Sequence, residues 1–294
     1  MKVIITGGSG YFGKNIINKL LNNGIEVLNI DLVKSNIDHD LLSEKLIDLL
    51  NDEIKIKNPK NYSSIIHLAG YANLEEANSN PFKCLDLNVK MTMKIVEFSV
   101  KNNINHFIYS SSMYALGKHG GFYGVSKKSC ELFLREYCSQ NNVKLSIIRV
   151  GSLFGGDSNE SNGIHRYITD AINKNEIIYR GTKNDIRFYI HVRDASNSVF
   201  EILKERKSGN YNLIGSHPVK IIDVFRIISE ILESNFSVKY LQENSNKHYK
   251  YTPYNYENID RVYDLKQSVD FGSGIIEVIA NINKKWQYFS ILMV

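Results

Sequence analysis

Residues 3–13 read Val3-Ile4-Ile5-Thr6-Gly7-Gly8-Ser9-Gly10-Tyr11-Phe12-Gly13. The unbroken apolar run Val3-Ile4-Ile5 predicts a strand covered on both faces. From Tyr11 to Asn22, Ile16, Ile17, Leu20 and Leu21 fall on one helical face, and Gly24 stands where such a helix stops. Gly7, Gly10 and Gly13 form G-x-x-G-x-x-G at the passage from strand to helix. The first glycine permits the tight turn, the second lets backbone approach a pyrophosphate, and the third lets helix pack close to sheet. Unused N–H groups at the helix start then favour a phosphate.

Working outward, Val27-Leu28-Asn29-Ile30 reads as a second strand, followed by Asp31. Asp31 lies 18 residues after Gly13, near the ~20 at which an acid bonds the adenosine ribose hydroxyls. Strand, glycine turn, helix, strand and acid together predict a dinucleotide site. The carboxylate would repel a 2′-phosphate, which favours NAD over NADP. Ile65-Ile66-His67-Leu68, Phe107-Ile108-Tyr109 and Leu145-Ser146-Ile147-Ile148 are three further apolar runs, with helical stretches over about 88–101 and 123–140. This alternation predicts an α/β fold, a Rossmann-type doubly wound parallel sheet. Regularity weakens after about residue 155. We expect a NAD-binding domain over 1–155, joined by about 188–207. Residues 156–187 and 208–294 are then a smaller, mixed substrate-binding part.

Composition narrows the functional classes. The 294 residues carry a net charge of +5, with 43% hydrophobic and 23% charged residues, which excludes a disordered or fibrous chain. Lysines and arginines are scattered rather than gathered in a stripe, so no nucleic-acid partner is expected. Cys84, Cys130 and Cys138 show no metal spacing or disulfide framework, so no metal is expected and the cysteines read as free thiols. No apolar run reaches the ~18 residues of a membrane span. The opening residues lack a signal peptide's apolar region, so the expected location is the cytoplasm.

Tyr123 and Lys127 are four apart on an expected helix and share a face. A phenol with a pKa near 10 is a poor base at neutral pH. A neighbouring ammonium and an oxidised nicotinamide would both stabilise its anion. The strand before it ends in Ser110-Ser111-Ser112, where a hydroxyl could bond the same substrate oxygen.

Taken together, Gly7-x-x-Gly10-x-x-Gly13, Asp31, His67-Leu68-Ala69-Gly70, Ser110-Ser111-Ser112 and Tyr123-x-x-x-Lys127 resemble the extended short-chain dehydrogenase/reductase superfamily in its NAD-dependent epimerase/dehydratase branch. The stretches His67-Leu68-Ala69-Gly70…Pro81-Phe82…Asn88-Val89 and Gly181-Thr182…Arg187-x-Tyr189-Ile190-His191-Val192-x-Asp194 are similar to those of UDP-galactose 4-epimerases. The resemblance runs to about residue 231. It implies that Gly7, Gly10, Tyr11, Phe12, Gly13, Asp31, Asp48, Leu68, Ala69, Gly70 and Asn88 line the NAD site together with Tyr123 and Lys127. Asp48 would bond the adenine amino group, though its surroundings fit an exposed helical acid equally well. Ser112, Tyr123 and Lys127 would be catalytic, with Ser112, Ser152 and Arg187 on a nucleotide-diphosphate sugar. Arg187 would meet the diphosphate, a task suited to its fork.

Departures from the family pattern bear on the reaction. Dehydratases of the family carry an Asp-Glu pair where Met113 and Tyr114 stand. The decarboxylases want an acid, and the fucose-forming epimerase-reductases a Cys, at about Met113. Chemistry confined to one carbinol carbon remains. It is either a 4-epimerisation by transient oxidation at C4, or one half of it, as in a 4-ketoreductase or C4 dehydrogenase of surface-polysaccharide sugar synthesis. Only Lys118–Phe122 separate Gly117 from Tyr123, far fewer than the family usually has. The second phosphate-binding arginine of the C-terminal part has no clear match, with Lys247 or Lys250 as substitutes. His67 and His191 read as satisfied core histidines, and His119 as a candidate substrate contact. The resemblance also implies a homodimer through the helices at about 88–101 and 123–140.

Overall fold

In the computed structural model, which describes residues 1–117, 119–241 and 269–292, the opening apolar run becomes strand β1 (Lys2–Thr6) and the stretch after the glycines becomes helix α1 (Tyr11–Leu21). Then follow β2 (Glu26–Asp31), β3 (Leu42–Leu46), β4 (Ser64–His67), α2 (Leu74–Ser79) and α3 (Pro81–Cys84). A π turn over Leu85–Lys90 runs into α4 (Met91–Lys101). Next come β5 (His106–Ser112), α5 (Gly121–Gln140) and β6 (Lys144–Val150). The later elements are β7 (Ser152–Phe154), α6 (Gly163–Lys174), β8 (Glu176–Arg180), β9 (Ile186–Arg187), β10 (Tyr189–His191) and α7 (Val192–Lys204). They end with β11 (Gly209–Leu213), β12 (Val219–Lys220), α8 (Ile221–Leu232), β13 (Ser237–Leu241) and α9 (Phe271–Leu292).

The described residues divide into two units. The first takes Met1–Val150 and Ser196–Leu213, the second Gly151–Ala195 and the described residues from Ile214 onward. The first is a seven-stranded sheet in the order β11-β6-β5-β4-β1-β2-β3, every pair parallel. Its chain order reverses between β1 and β4, and such a switch point leaves a crevice at the strands' carboxyl ends. One face is a core of Ile4, Ile65, Phe107, Tyr109 and Ile147 against Ile95 and Val96 of α4 and Leu134 of α5. Alternation sends Val3, Ile5, Ile66, Ile108 and Ile148, all buried, to the other face. The five expected strands and the helices around 11–21, 91–101 and 121–140 are present.

Two strands of this sheet carry weak signals. β3 is Leu-Ser-Glu-Lys-Leu, a partly exposed edge with no apolar run. In β11, Gly209-Asn210-Tyr211-Asn212-Leu213 is polar in sequence but pairs with Ser146–Val150. Residues 209–213 therefore belong to the large sheet rather than to the smaller part. The stretch 188–195 falls in the second unit.

The second unit holds three two-stranded pairings, β10 with β7, β12 with β9 and β13 with β8. Ile164 and Ile168 of α6, Val224, Phe225 and Ile228 of α8, and Ile275, Val278 and Ile282 of α9 make its core with Phe154, Tyr179 and Tyr189. Among the described residues no helix is long and apolar enough to cross a membrane, and no group of His, Cys, Asp and Glu could hold a metal.

Candidate active site

The glycine loop is shaped by contacts that no side chain would allow. Gly7 has φ +75°, and a Cβ there would lie 2.5 Å from the Ala69 nitrogen. One on Gly13 would lie 2.5 Å from the Gly7 carbonyl. Gly10 is different, since its Cβ position meets only the Gly7 carbonyl, at 3.5 Å. Backbone therefore packs tightly around Gly7 and Gly13, while the surface over Gly10 stays open for a close-approaching group. Gly10 is also the N-cap of α1 and supplies no side chain to the helix's first N–H groups. Tyr11 and Phe12, both half-buried, form the first helical residues.

The loop is fixed from below by Asn29, a buried amide on β2 that sequence reading passed over. Its Oδ1 accepts the Gly8 N–H at 3.1 Å, and its Nδ2 donates to Ser9 Oγ and to Glu44 Oε1, both at 3.0 Å. A polar residue in an otherwise apolar strand was the available signal. Asp31 sits at the loop's rim, where its carboxylate accepts the N–H of Ser9 at 2.9 Å and of Leu32 at 2.7 Å. Asp48 lies on the turn after β3, not on a helix. It accepts the Asn51 amide and the Leu50 N–H, both at 2.9 Å, and the Asn51 hydrogen bond leads in holding its carboxyl below the usual range.

After β4, Leu68 and Ala69 donate their N–H groups to the Thr6 carbonyl at 2.9 and 3.0 Å, which draws 68–70 against the glycine loop. His67 is buried between Thr6 Oγ1 at 2.6 Å and Thr92 Oγ1 at 2.9 Å. Burial, with the Lys127 charge second, pushes its pKa down to about 3, so it is a neutral core histidine. Asn88 is buried on the π turn. Its Oδ1 accepts the Tyr71 N–H at 2.7 Å and its Nδ2 donates to Ser126 Oγ at 2.8 Å. Its amide thus holds the 70–71 backbone to α5. A Cβ on Gly70 would lie 2.9 Å from Asn88 Oδ1 and 3.6 Å from Lys127 Nζ, which brings these three residues together.

Lys127 is buried and its Nζ donates to the Ser110 carbonyl at 2.8 Å. The ammonium lies 5.9 Å from the Tyr123 ring centroid and 5.0 Å from that of Tyr109, and burial lowers its pKa. Tyr123 is half-buried. Burial pushes its phenol up to about 12, against a hydrogen bond with Ser112 that works downward. Ser112 Oγ also accepts the Tyr114 N–H at 3.3 Å. So Ser112, Tyr123 and Lys127 do meet at the carboxyl end of β5. The protein alone, however, holds the phenol's proton more tightly than water does.

Three further groups fix this corner. Glu131 of α5 and Arg149 of β6 form a buried two-pronged ion pair at 2.9 and 2.6 Å, and Ser111 Oγ donates to the same carboxylate at 2.6 Å. Asn78 Oδ1 accepts the Phe122 N–H at 2.9 Å and so caps the start of α5. The Tyr114 ring meets the Tyr123 ring edge-on at 6.2 Å. A charged residue at the end of the β6 apolar run hinted at Arg149, whereas Asn78 and Tyr114 carry no pattern. His119 lies in the turn before α5, where its carbonyl is 2.6 Å from the Cβ position of Gly124.

In the second unit, Ser152 begins β7 and donates its N–H to the Phe188 carbonyl at 2.7 Å. Arg187 is buried on β9, with Nη2 donating to Tyr179 Oη at 2.6 Å. His191 Nδ1 accepts the Arg193 N–H at 3.2 Å and Nε2 faces Glu277 Oε2 at 3.2 Å, a structural placement. Lys247 and Lys250 lie outside the described residues.

A doubly wound sheet with a glycine turn, an acid at the end of β2 and a Ser-Tyr-Lys group defines a Rossmann-type, dinucleotide-dependent enzyme class. The model of the NAD dependent epimerase/dehydratase family matches residues 3–214. The chain belongs to that family, which makes NAD its cofactor. It is 22% identical to the Staphylococcus aureus protein CapI over 92% of this chain and 93% of the relative. It is 27% identical to CDP-abequose synthase of Salmonella typhimurium over 70% and 71%. The fold matches the UDP-glucuronic acid 4-epimerase of Bacillus cereus, solved with UDP-glucuronic acid and NAD. That match has a TM-score of 0.85 at 19% identity over 97% of this chain and 99% of the other.

Proposed function

We propose that the chain is a nucleotide-sugar 4-epimerase that works by transient oxidation at C4. The observation that carries this reading is the meeting of Ser112, Tyr123 and Lys127, with Met113 and Tyr114 where a neighbouring acid would be needed for elimination. NAD would supply a hydride acceptor and donor for that carbon and a positive charge that favours the phenolate. Gly7, Gly10 and Gly13 with the α1 start would hold its pyrophosphate, and Asp31 its adenosine ribose. Ser112 and Tyr123 bracket the C4 oxygen, and Tyr123 takes its proton. Lys127, fixed to the Ser110 carbonyl, stabilises the phenolate form of Tyr123 that accepts this proton and becomes the neutral phenol. Because burial pushes the Tyr123 phenol up to about 12, it becomes a base only when positive charge is added. In the second unit, the Arg187 fork suits a diphosphate, with Ser152 as a further substrate contact.

The same reading includes a homodimer. Phe82 and Leu85 on the run into α4, and Phe122, Val125, Leu132 and Phe133 on α5, are half or more exposed apolar side chains. A monomer gains nothing from exposing them together.

Denaturing the purified protein and assaying the supernatant for NAD tests the mechanism. The native protein is then offered UDP-, dTDP-, GDP- and CDP-hexoses. Retained NAD with interconversion at C4 supports the epimerase. An empty protein that consumes NADH only with a 4-keto sugar nucleotide overturns it in favour of a 4-ketoreductase or C4 dehydrogenase.

A further inference from the structure

The arginine assigned to the diphosphate is held in an unusual way. Arg187 Nη2 donates to a neutral phenol oxygen, Tyr179 Oη, at 2.6 Å, and Nη1 to the Ile186 carbonyl at 3.1 Å. The Tyr179 hydroxyl has one proton, and it goes to Asp185 Oδ2 at 3.0 Å. The other oxygen of that carboxylate accepts Thr182 Oγ1 at 2.6 Å. Asp185 is 3% exposed and Arg187 8%. A Cβ on Gly181 would lie 2.3 Å from Asp185 Oδ2, so glycine leaves the carboxylate its room. Gly181 and Thr182 together seat the Asp185 carboxylate.

The contacts have a direction. A carboxylate that takes the phenol proton turns the phenol's lone pair toward the guanidinium and makes it a better acceptor. The phenol oxygen fixes the fork in place without adding a charge of its own. We infer that Asp185, acting through Tyr179, is a positioning residue that aims Arg187 at the diphosphate of the nucleotide sugar. The inference rests on the reading of Arg187 given above.

Calorimetric titration of the NAD-loaded protein with UDP, dTDP, GDP and CDP, and with the matching monophosphates, tests it. Tyr179→Phe keeps the ring in its aromatic cluster and removes only the relay. It should weaken the preferred diphosphate about tenfold, the worth of one hydrogen bond to a charged group. Monophosphate binding, NAD content and kcat should be unchanged, with the loss confined to KM. Asp185→Asn, which still offers an acceptor, should lose less than Tyr179→Phe. Thr182→Val, at a half-buried loop position, gives a second readout of the same kind if the Phe variant fails to fold. If Arg187→Lys weakens the diphosphate and neither Tyr179→Phe nor Thr182→Val does, the relay is wrong and Arg187 stands. If Arg187→Lys changes nothing, or no diphosphate binds, the reading of Arg187 falls and the relay with it.

Discussion

Tyr123 is the residue on which the proposed chemistry turns. Burial sets its phenol at about 12, so at neutral pH the protein without charge from a ligand keeps it protonated. That suits the return of a proton, and the forward step depends on added positive charge. Tyr123→Phe should lower kcat about 10²–10⁴-fold while NAD content, measured after denaturation, stays the same. Retained activity would remove Tyr123 from the mechanism. His67 gives a stability prediction with a fixed sign. Its folded pKa of about 3 lies below the ordinary 6.5, and His106, pushed mainly by burial, titrates at about 4. The unfolded chain then binds more protons, so both contribute stability above pH 6.5 that is lost as pH falls through 6.5 toward 3. The urea midpoint should fall between pH 7.5 and 5, and more gently in a His67→Asn variant.

At the scale of elements, the Glu131–Arg149 pair binds α5, which bears the Tyr and Lys, to the sheet. Its side chains are 7% and 5% exposed. Removing Arg149 leaves the buried Glu131 carboxylate with Ser111 and the more distant, exposed Arg135 at 3.6 Å, a loss of up to about 3–5 kcal/mol. Arg149→Met should therefore lower the thermal midpoint sharply, more than the double variant Arg149→Met/Glu131→Leu. An equal loss in both would sink the argument. Helix α5, which carries Leu132 and Phe133, makes a second prediction. Leu132→Glu should shift light-scattering mass from dimer toward monomer, and a wild type already monomeric would end the dimer reading. Sequence patterns exposed the glycine turn, Asp31 and the Tyr-Lys pair because each is local, set by spacing along one turn or helix. Asn29, Asn78, Glu131 and the Tyr179–Asp185 contact escaped because their partners lie 6 to 44 residues away, where no period connects them. The helix expected from 88 onward begins earlier and with a π turn, which periodicity at 3.6 residues cannot show.

Across the whole molecule, NAD binds only the folded chain, so the thermal midpoint should rise with its concentration, by about 2.7 kcal/mol of stability at a hundredfold excess over Kd. NADP should do much less while Asp31 is present, and Asp31→Ser should narrow the gap. An unchanged preference would sink the role given to Asp31. The strand alternation made the parallel sheet legible as a class, but its two edges were not. β3 is charged and β11 polar, and each is a strand because of the neighbour it pairs with. The last strand has a practical consequence. The partner of β6 is supplied from more than fifty residues further along, after the chain has left the first unit and returned. A gene fragment stopping at Val150 would present the bare backbone of Ile147 and Ile148 to any other chain, a template for aggregation rather than a small independent nucleotide binder.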